Sequence, residues 1–208
     1  MKEIVRVVPF AEGFQAHALN DAGAEIKVPM RQVRCGVSPP MGSSLHFYYL
    51  MLGQRLGENP SGKEPLIFIS EFAGESQEEF FRKLGEDLNK MRCKVIYSDF
   101  DVQNEFYLAV HNRFSSSSVS IHPAPFASDI PYGKTLIREW LKDKALVLPE
   151  YRDTILRSGL SYVDNESPVE KESLAFHALR FVLGGFIQDP PRGNLFPGGH
   201  RTKMRGIT

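Results

Sequence analysis

Along the first third of the chain, apolar residues cluster in short β-branched and aromatic runs separated by turn-forming residues; further on they recur at helical spacing. Ile4–Phe10, Phe14–Leu19 and Glu25–Val28 read as strands, with Asn20, Asp21 and Gly23 supplying a hairpin turn between the last two. Val33–Val37 is a further strand, stopped by Pro39 and Pro40. His46–Leu52 and Leu66–Phe72 follow, joined by a Gly/Pro/Asn-rich loop.

After Phe72 the period changes. Ser76 with Glu79 forms a capping box, and Phe80, Phe81, Leu84, Leu88 and Met91 line one face of a helix. Lys94–Ser98 is a short strand, with Asp99-Phe100-Asp101 at its carboxyl end. Asp101 is placed to cap a helix whose apolar stripe is Phe106, Ala109 and Val110. Val119–His122 is a strand, Thr135–Asp143 a helix and Leu146–Leu148 a strand. Ser167-Pro168-x-Glu170 opens a last helix with Leu174, Ala178, Phe181 and Val182 on its core face. Antiparallel strands followed by a β-α-β crossover predict an α/β fold with a mixed sheet flanked by helices.

The 208 residues suffice for one domain with a substantial core. We divide them into an N-terminal hairpin or linker (1–30), a main domain (31–188) and a basic flexible tail (189–208). The 25 basic and 25 acidic residues cancel, which argues against a generally polyanionic partner without excluding a local basic patch. Cys35 and Cys93 are too few for a disulfide framework and lack zinc-ligand spacing. With no long apolar run and no leader pattern, the expectation is a soluble cytoplasmic protein. Gly133-Lys134-Thr135 resembles the end of a phosphate-binding loop, but Ser128 stands where that motif requires glycine, so no ATPase site is expected.

Several local sequences are similar to the nuclease domain of phage large terminases, which has a ribonuclease-H-like fold. Cys35-Gly36-Val37-Ser38-Pro39-Pro40, followed by His46-Phe47-Tyr48-Tyr49-Leu50, resembles that family's first two strands and their Gly-x-Asp-Pro-Ala turn. Val95-Ile96-Tyr97-Ser98-Asp99 resembles the strand ending in its second catalytic aspartate. Ile130-Pro131-Tyr132-Gly133-Lys134 through Arg138 resembles its Ile-x-x-Gly-x-x-x-Ile-Arg helix start. Leu146-Val147-Leu148-Pro149 matches a short strand, and Glu172–Phe181 resembles the final helix. The likeness spans residues 33 to 187 and implies that Val33–Val37 lies beside Lys94–Ser98.

The resemblance implies two-metal hydrolysis of duplex DNA, with carboxylates holding two Mg2+ or Mn2+ ions about 4 Å from each other. It also implies a separate ATPase motor or other packaging protein as partner. Two of the family's acidic positions are not acidic here: Ser38 replaces the first-strand aspartate and His177 the final-helix aspartate. Asp99, Asp101 and Glu71 remain as catalytic candidates, and Asp99, His177 and Glu71 as metal ligands. Two readings follow. In one, the site is degenerate and the domain is a DNA-binding or assembly module. In the other, Asp99, Asp101, Glu71 and His177 form an altered but active metal site. Ser173 and Glu170 precede His177 by one and two turns, a stripe whose plain interpretation is a solvated helix edge.

Overall fold

The computed structural model describes residues 3–11, 13–20, 22–41, 45–99, 105–114, 118–148, 155–164 and 174–188. Asp101, the Ser167 cap and the 189–208 tail lie outside them. The elements in chain order are β1 (Glu3–Phe10), β2 (Gly13–Leu19), β3 (Glu25–Ser38), β4 (Phe47–Arg55), β5 (Leu66–Gly74), α1 (Gln77–Lys90), β6 (Val95–Ser98), α2 (Glu105–Phe114), β7 (Ser120–Pro123), α3 (Ile130–Lys142), β8 (Leu146–Val147), α4 (Ile155–Asp164) and α5 (Leu174–Ile187).

The strands form one mixed sheet. Its central order is β5-β4-β3-β6-β7, with β3, β4 and β5 antiparallel and with β6 and β7 parallel to β3. That is the ribonuclease-H-like order. Cys35 stands opposite Ile96 and Gly36 opposite Tyr97, the adjacency expected from the sequence. β8 adds a short parallel edge to β5.

β3 is a single 14-residue strand where the sequence suggested two. Pro29 is accommodated inside it because its carbonyl faces β4 and accepts from Leu56 N. Its missing N–H therefore points to the same side and costs the β2 ladder nothing. The amino half of β3 pairs with β2, and the carboxyl half takes β6 on that same edge.

Period-two alternation sends the central strands' side chains to two cores. On one face Val33, Cys35, Val37, Tyr49 and Met51 pack under α1 and α2 with Phe80, Phe81 and Phe106. On the other, Tyr48, Leu50 and Leu52 pack under α3, α4 and α5. α5 is buried from Leu174 to Gly185, so its sequence shows almost no polar face. His177 is 1% exposed, which corrects the expectation of a solvated edge: α3, α4 and the sheet surround the helix.

α5 approaches β3 closely because Gly36 lacks a side chain. A Cβ there would stand 2.0 Å from Ala178 O. The same face of β3 carries Arg34, which donates to Gly185 O near the carboxyl end of α5 and, at 3.1 Å, to Tyr97 Oη. A guanidinium at that end complements the helix dipole. Arg34 meeting Gly185 and Gly36 meeting Ala178 make the helix antiparallel to the strand, bringing Ser38 toward its first turn.

α4 was not foreseen. Its amino end is capped from across the fold by Glu71, whose carboxylate accepts from Ile155 N at 2.9 Å and Leu156 N at 3.0 Å. α3 begins earlier than expected, with Asp129 accepting from Tyr132 N and Pro131 in the first turn.

Candidate functional site

In this strand order the carboxyl ends of β3 and β6 meet the first half of α5. Ser38 is fully buried there, its hydroxyl 3.3 Å from Pro39 O and 3.5 Å from Met41 Sδ. Ser98 ends β6, also fully buried, and donates to Val37 O across the strand pair. Both strand ends are thus closed by neutral hydroxyls. Asp99 follows Ser98 and is exposed.

Arg180, one turn beyond His177 on α5, dominates the electrostatics. It is 4% exposed. Its Nε donates to His177 Nδ1 at 3.0 Å, and Nη1 donates to the carbonyls of Phe126 and Ala127 in the loop after β7. The guanidinium lies 4.6 Å over the Phe181 ring. Gly133 of α3 makes room for its stem, since a Cβ there would come 3.1 Å from Arg180 Cδ. Burial draws its pKa down to about 10, while Asp99 and Asp129 pull the other way. It is a cation at neutral pH.

That cation fixes the protonation of His177. An arginine Nε always carries hydrogen, so Nδ1 of the imidazole accepts, and the neutral ring's hydrogen resides on Nε2. Burial, then Arg180, lower the His177 pKa to about 4, which agrees with a neutral ring. Nε2 is buried and has no partner among the described residues.

Glu71 is committed elsewhere. Besides the two amides of α4, it accepts from Tyr48 Oη at 2.6 Å. Burial, then this carboxylate, push the Tyr48 phenol well above its ordinary pKa. Among the described residues, no three His, Cys, Asp or Glu side chains come together as a metal-holding group. Asp99, Glu71 and His177 are therefore not brought into one cluster. Asp101 lies outside the described residues.

A second polar cluster lies on the other face of the sheet. A cavity of ≈ 490 Å³ between β5, α1 and the start of β1 has Asp87 in its wall. Asp87 accepts from Tyr49 Oη at 2.7 Å and Ser70 Oγ at 2.5 Å, with Lys83 Nζ at 3.4 Å. These partners satisfy a buried charge within the α1 core. Gly133-Lys134-Thr135 falls inside α3 and forms no phosphate loop. Arg180 was the residue missed from the sequence. Its signal was an arginine one turn after His177, the two being the polar side chains of a 14-residue helix.

No protein-family model matches the chain, and no curated protein does. Several solved structures resemble it, three of which follow. One is the large terminase nuclease from thermophilic phage G20c with bound zinc, at 8% identity and TM-score 0.49, covering 89% of this chain and 93% of that one. Another is T. thermophilus RuvC in complex with Holliday junction substrate, at 10% identity and TM-score 0.41, covering 75% and 93%. The third is the fowlpox virus Holliday junction resolvase, at 11% identity and TM-score 0.41, covering 73% and 96%. The class is set by the strand order itself: a mixed α/β, ribonuclease-H-like sheet flanked by helices. Among the described residues no helix is long and apolar enough to cross a membrane.

Proposed function

We propose that this chain is a phage- or prophage-type DNA-binding module, built on the ribonuclease-H-like fold of a terminase nuclease and working in DNA packaging or processing without metal-dependent hydrolysis. The observation that carries this reading is the Arg180–His177 pair. Hard divalent ions need anionic oxygens. Here the position of the final-helix ligand is a neutral imidazole, turned by a buried guanidinium so that Nε2 presents a hydrogen rather than a lone pair. Two serines close the strand ends, and Glu71 caps α4. These residues do not fit a pair of Mg2+ or Mn2+ ions. We assign the packaging partner, a separate ATPase motor, to the same reading.

The test compares duplex binding and plasmid nicking in EDTA, Mg2+ and Mn2+. The expected result is binding that persists in EDTA and no nicking in any condition. Metal-dependent nicking abolished by Asp99→Ala would overturn the proposal in favour of an altered-site endonuclease using Asp99, Asp101, Glu71 and His177. Failure to bind duplex in any buffer would overturn it in favour of a purely protein-binding assembly role.

A further inference from the structure

The antiparallel run from β1 to β5 ends in two edges that are protected differently. β8 pairs with the outer edge of β5 only at Leu66 and Ile67. From Phe68 to Gly74 that edge has no strand partner among the described residues, the inner edge being taken by β4. An open edge offers main-chain N–H and C=O groups to any extended chain, and folds blunt one with a charge, a proline or a bulge. β1 carries all three, in Arg6, Pro9 and the irregular pairing between Ile4 and Arg6. The open stretch of β5 reads Phe-Ile-Ser-Glu-Phe-Ala-Gly. It holds no lysine, arginine or proline, and its one acid, Glu71, caps α4. Its extra residue, Ile69 between the Met51–Ser70 and Leu52–Phe68 pairs, belongs to the ladder with β4.

The cavity of ≈ 490 Å³ beside Asp87 runs along this edge. Six successive residues, Phe68 to Ala73, line it. Side chains alternate between the faces of a sheet, so one face could supply only about every second residue of such a run. The two sides of the cavity differ in chemistry. On the α1 side stand Lys83, Asp87 and Lys90. Asp87 Oδ2 accepts from Tyr49 and Ser70, while Oδ1 meets only Lys83 Nζ, at 3.4 Å, among the described residues. On the other side Phe68 and Ala73 join the core under α3, α4 and α5, and Ile155 of α4 lines the cavity with its side chain 43% exposed.

We propose that the open edge of β5 takes an extended segment of a partner protein as an added strand. Its apolar side chains face Phe68, Ala73 and Ile155, and its polar ones face Lys83 and Asp87. Main-chain donors and acceptors at strand spacing specify a polypeptide, since an extended backbone repeats the same groups at the same interval. A recess of this volume, within the range of ligand pockets, fits one strand rather than the sheet of a second copy. β4 separates the site from the ends of β3 and β6, so it stands or falls separately from the DNA-binding reading.

The experiment is an amide NMR titration of the full chain with acetyl-Thr-Val-Thr-Val-Thr-Val-amide, whose two faces alternate as the cavity's sides do. A second peptide of the same sequence is N-methylated at every amide. The first is expected to shift the amides of Phe68 to Gly74 and slow their hydrogen exchange, leaving β1 unmoved. N-methylation is expected to weaken binding at least about 10-fold by removing the donors. Ile155→Lys changes an exposed side chain and keeps the amide bonded to Glu71. It is expected to weaken binding about 5-fold with Tm unchanged. Equal binding of the N-methylated peptide, shifts centred on β1, or no binding at millimolar peptide overturns the added strand. A dimer in sedimentation that Ile155→Lys dissolves also overturns it, in favour of a second copy at this edge.

Discussion

His177 makes stability depend on pH in a direction that can be worked out. In the unfolded chain its imidazole titrates near 6.5, but in the fold burial and Arg180 hold the pKa at about 4. Between those values the unfolded state binds more protons, so stability rises with pH. The contribution is complete above about pH 6.5 and gone below about pH 4. At about 1.4 kcal/mol per pH unit across that interval, it amounts to roughly 3 kcal/mol. His177→Asn places an amide oxygen where Nδ1 accepts from Arg180 Nε and removes the titration. We expect the variant to lose about 1–3 kcal/mol at neutral pH through lost ring packing. Its stability should then fall less steeply on acidification, by roughly 3 kcal/mol relative to the unaltered chain. Urea unfolding followed through buried Trp140 measures both, and other titrating groups cancel in the difference. Parallel pH profiles for the two proteins would refute the neutral, arginine-oriented imidazole, and with it the argument against a metal ligand at this position.

Other substitutions test the packing that builds the site. Gly36→Ala would press a methyl group 2.0 Å from Ala178 O, and we expect a loss of about 3 kcal/mol or more, read as a fall in Tm or insolubility; an unchanged Tm would contradict the close approach of α5. Glu71→Gln keeps an acceptor but removes the charge at the amino end of α4 and weakens one of its capping bonds. The expected cost is about 1–2 kcal/mol by chemical denaturation, with no change in nucleic-acid affinity. Cys35 and Cys93 are buried, which raises the first thiol's pKa well above normal and the second's to about 12. Neither should react with a neutral-pH thiol reagent until the chain is unfolded, and rapid labelling of the native protein would show that this face of the sheet opens.

The sheet was legible because its information is local. Runs such as His46–Leu52 and Leu66–Phe72 declare themselves by β-branched and aromatic content, and the order of elements pointed to the strand adjacency that Cys35 and Ile96 display. The continuity of β3 was hidden by Pro29, whose effect depends on which edge its nitrogen faces. α4 was hidden because its cap, Glu71, is 84 residues away in sequence. The site was legible only as missing acids at Ser38 and His177. What replaces them was not, because Arg180 gains its meaning from loop carbonyls 53 and 54 residues earlier.

The shared edge of β3 has a consequence for how the chain assembles. The partner for its carboxyl half, β6, lies about 60 residues downstream, as Cys35 and Ile96 mark. The partner for its amino half, β2, precedes it by a short turn. Closing the longer loop costs more entropy and comes later. During synthesis the β1–β2 hairpin can therefore cover half of that edge while the other half still waits. The N-terminal residues then act as a built-in guard against pairing with another nascent chain, and removing them should first appear as aggregation during refolding.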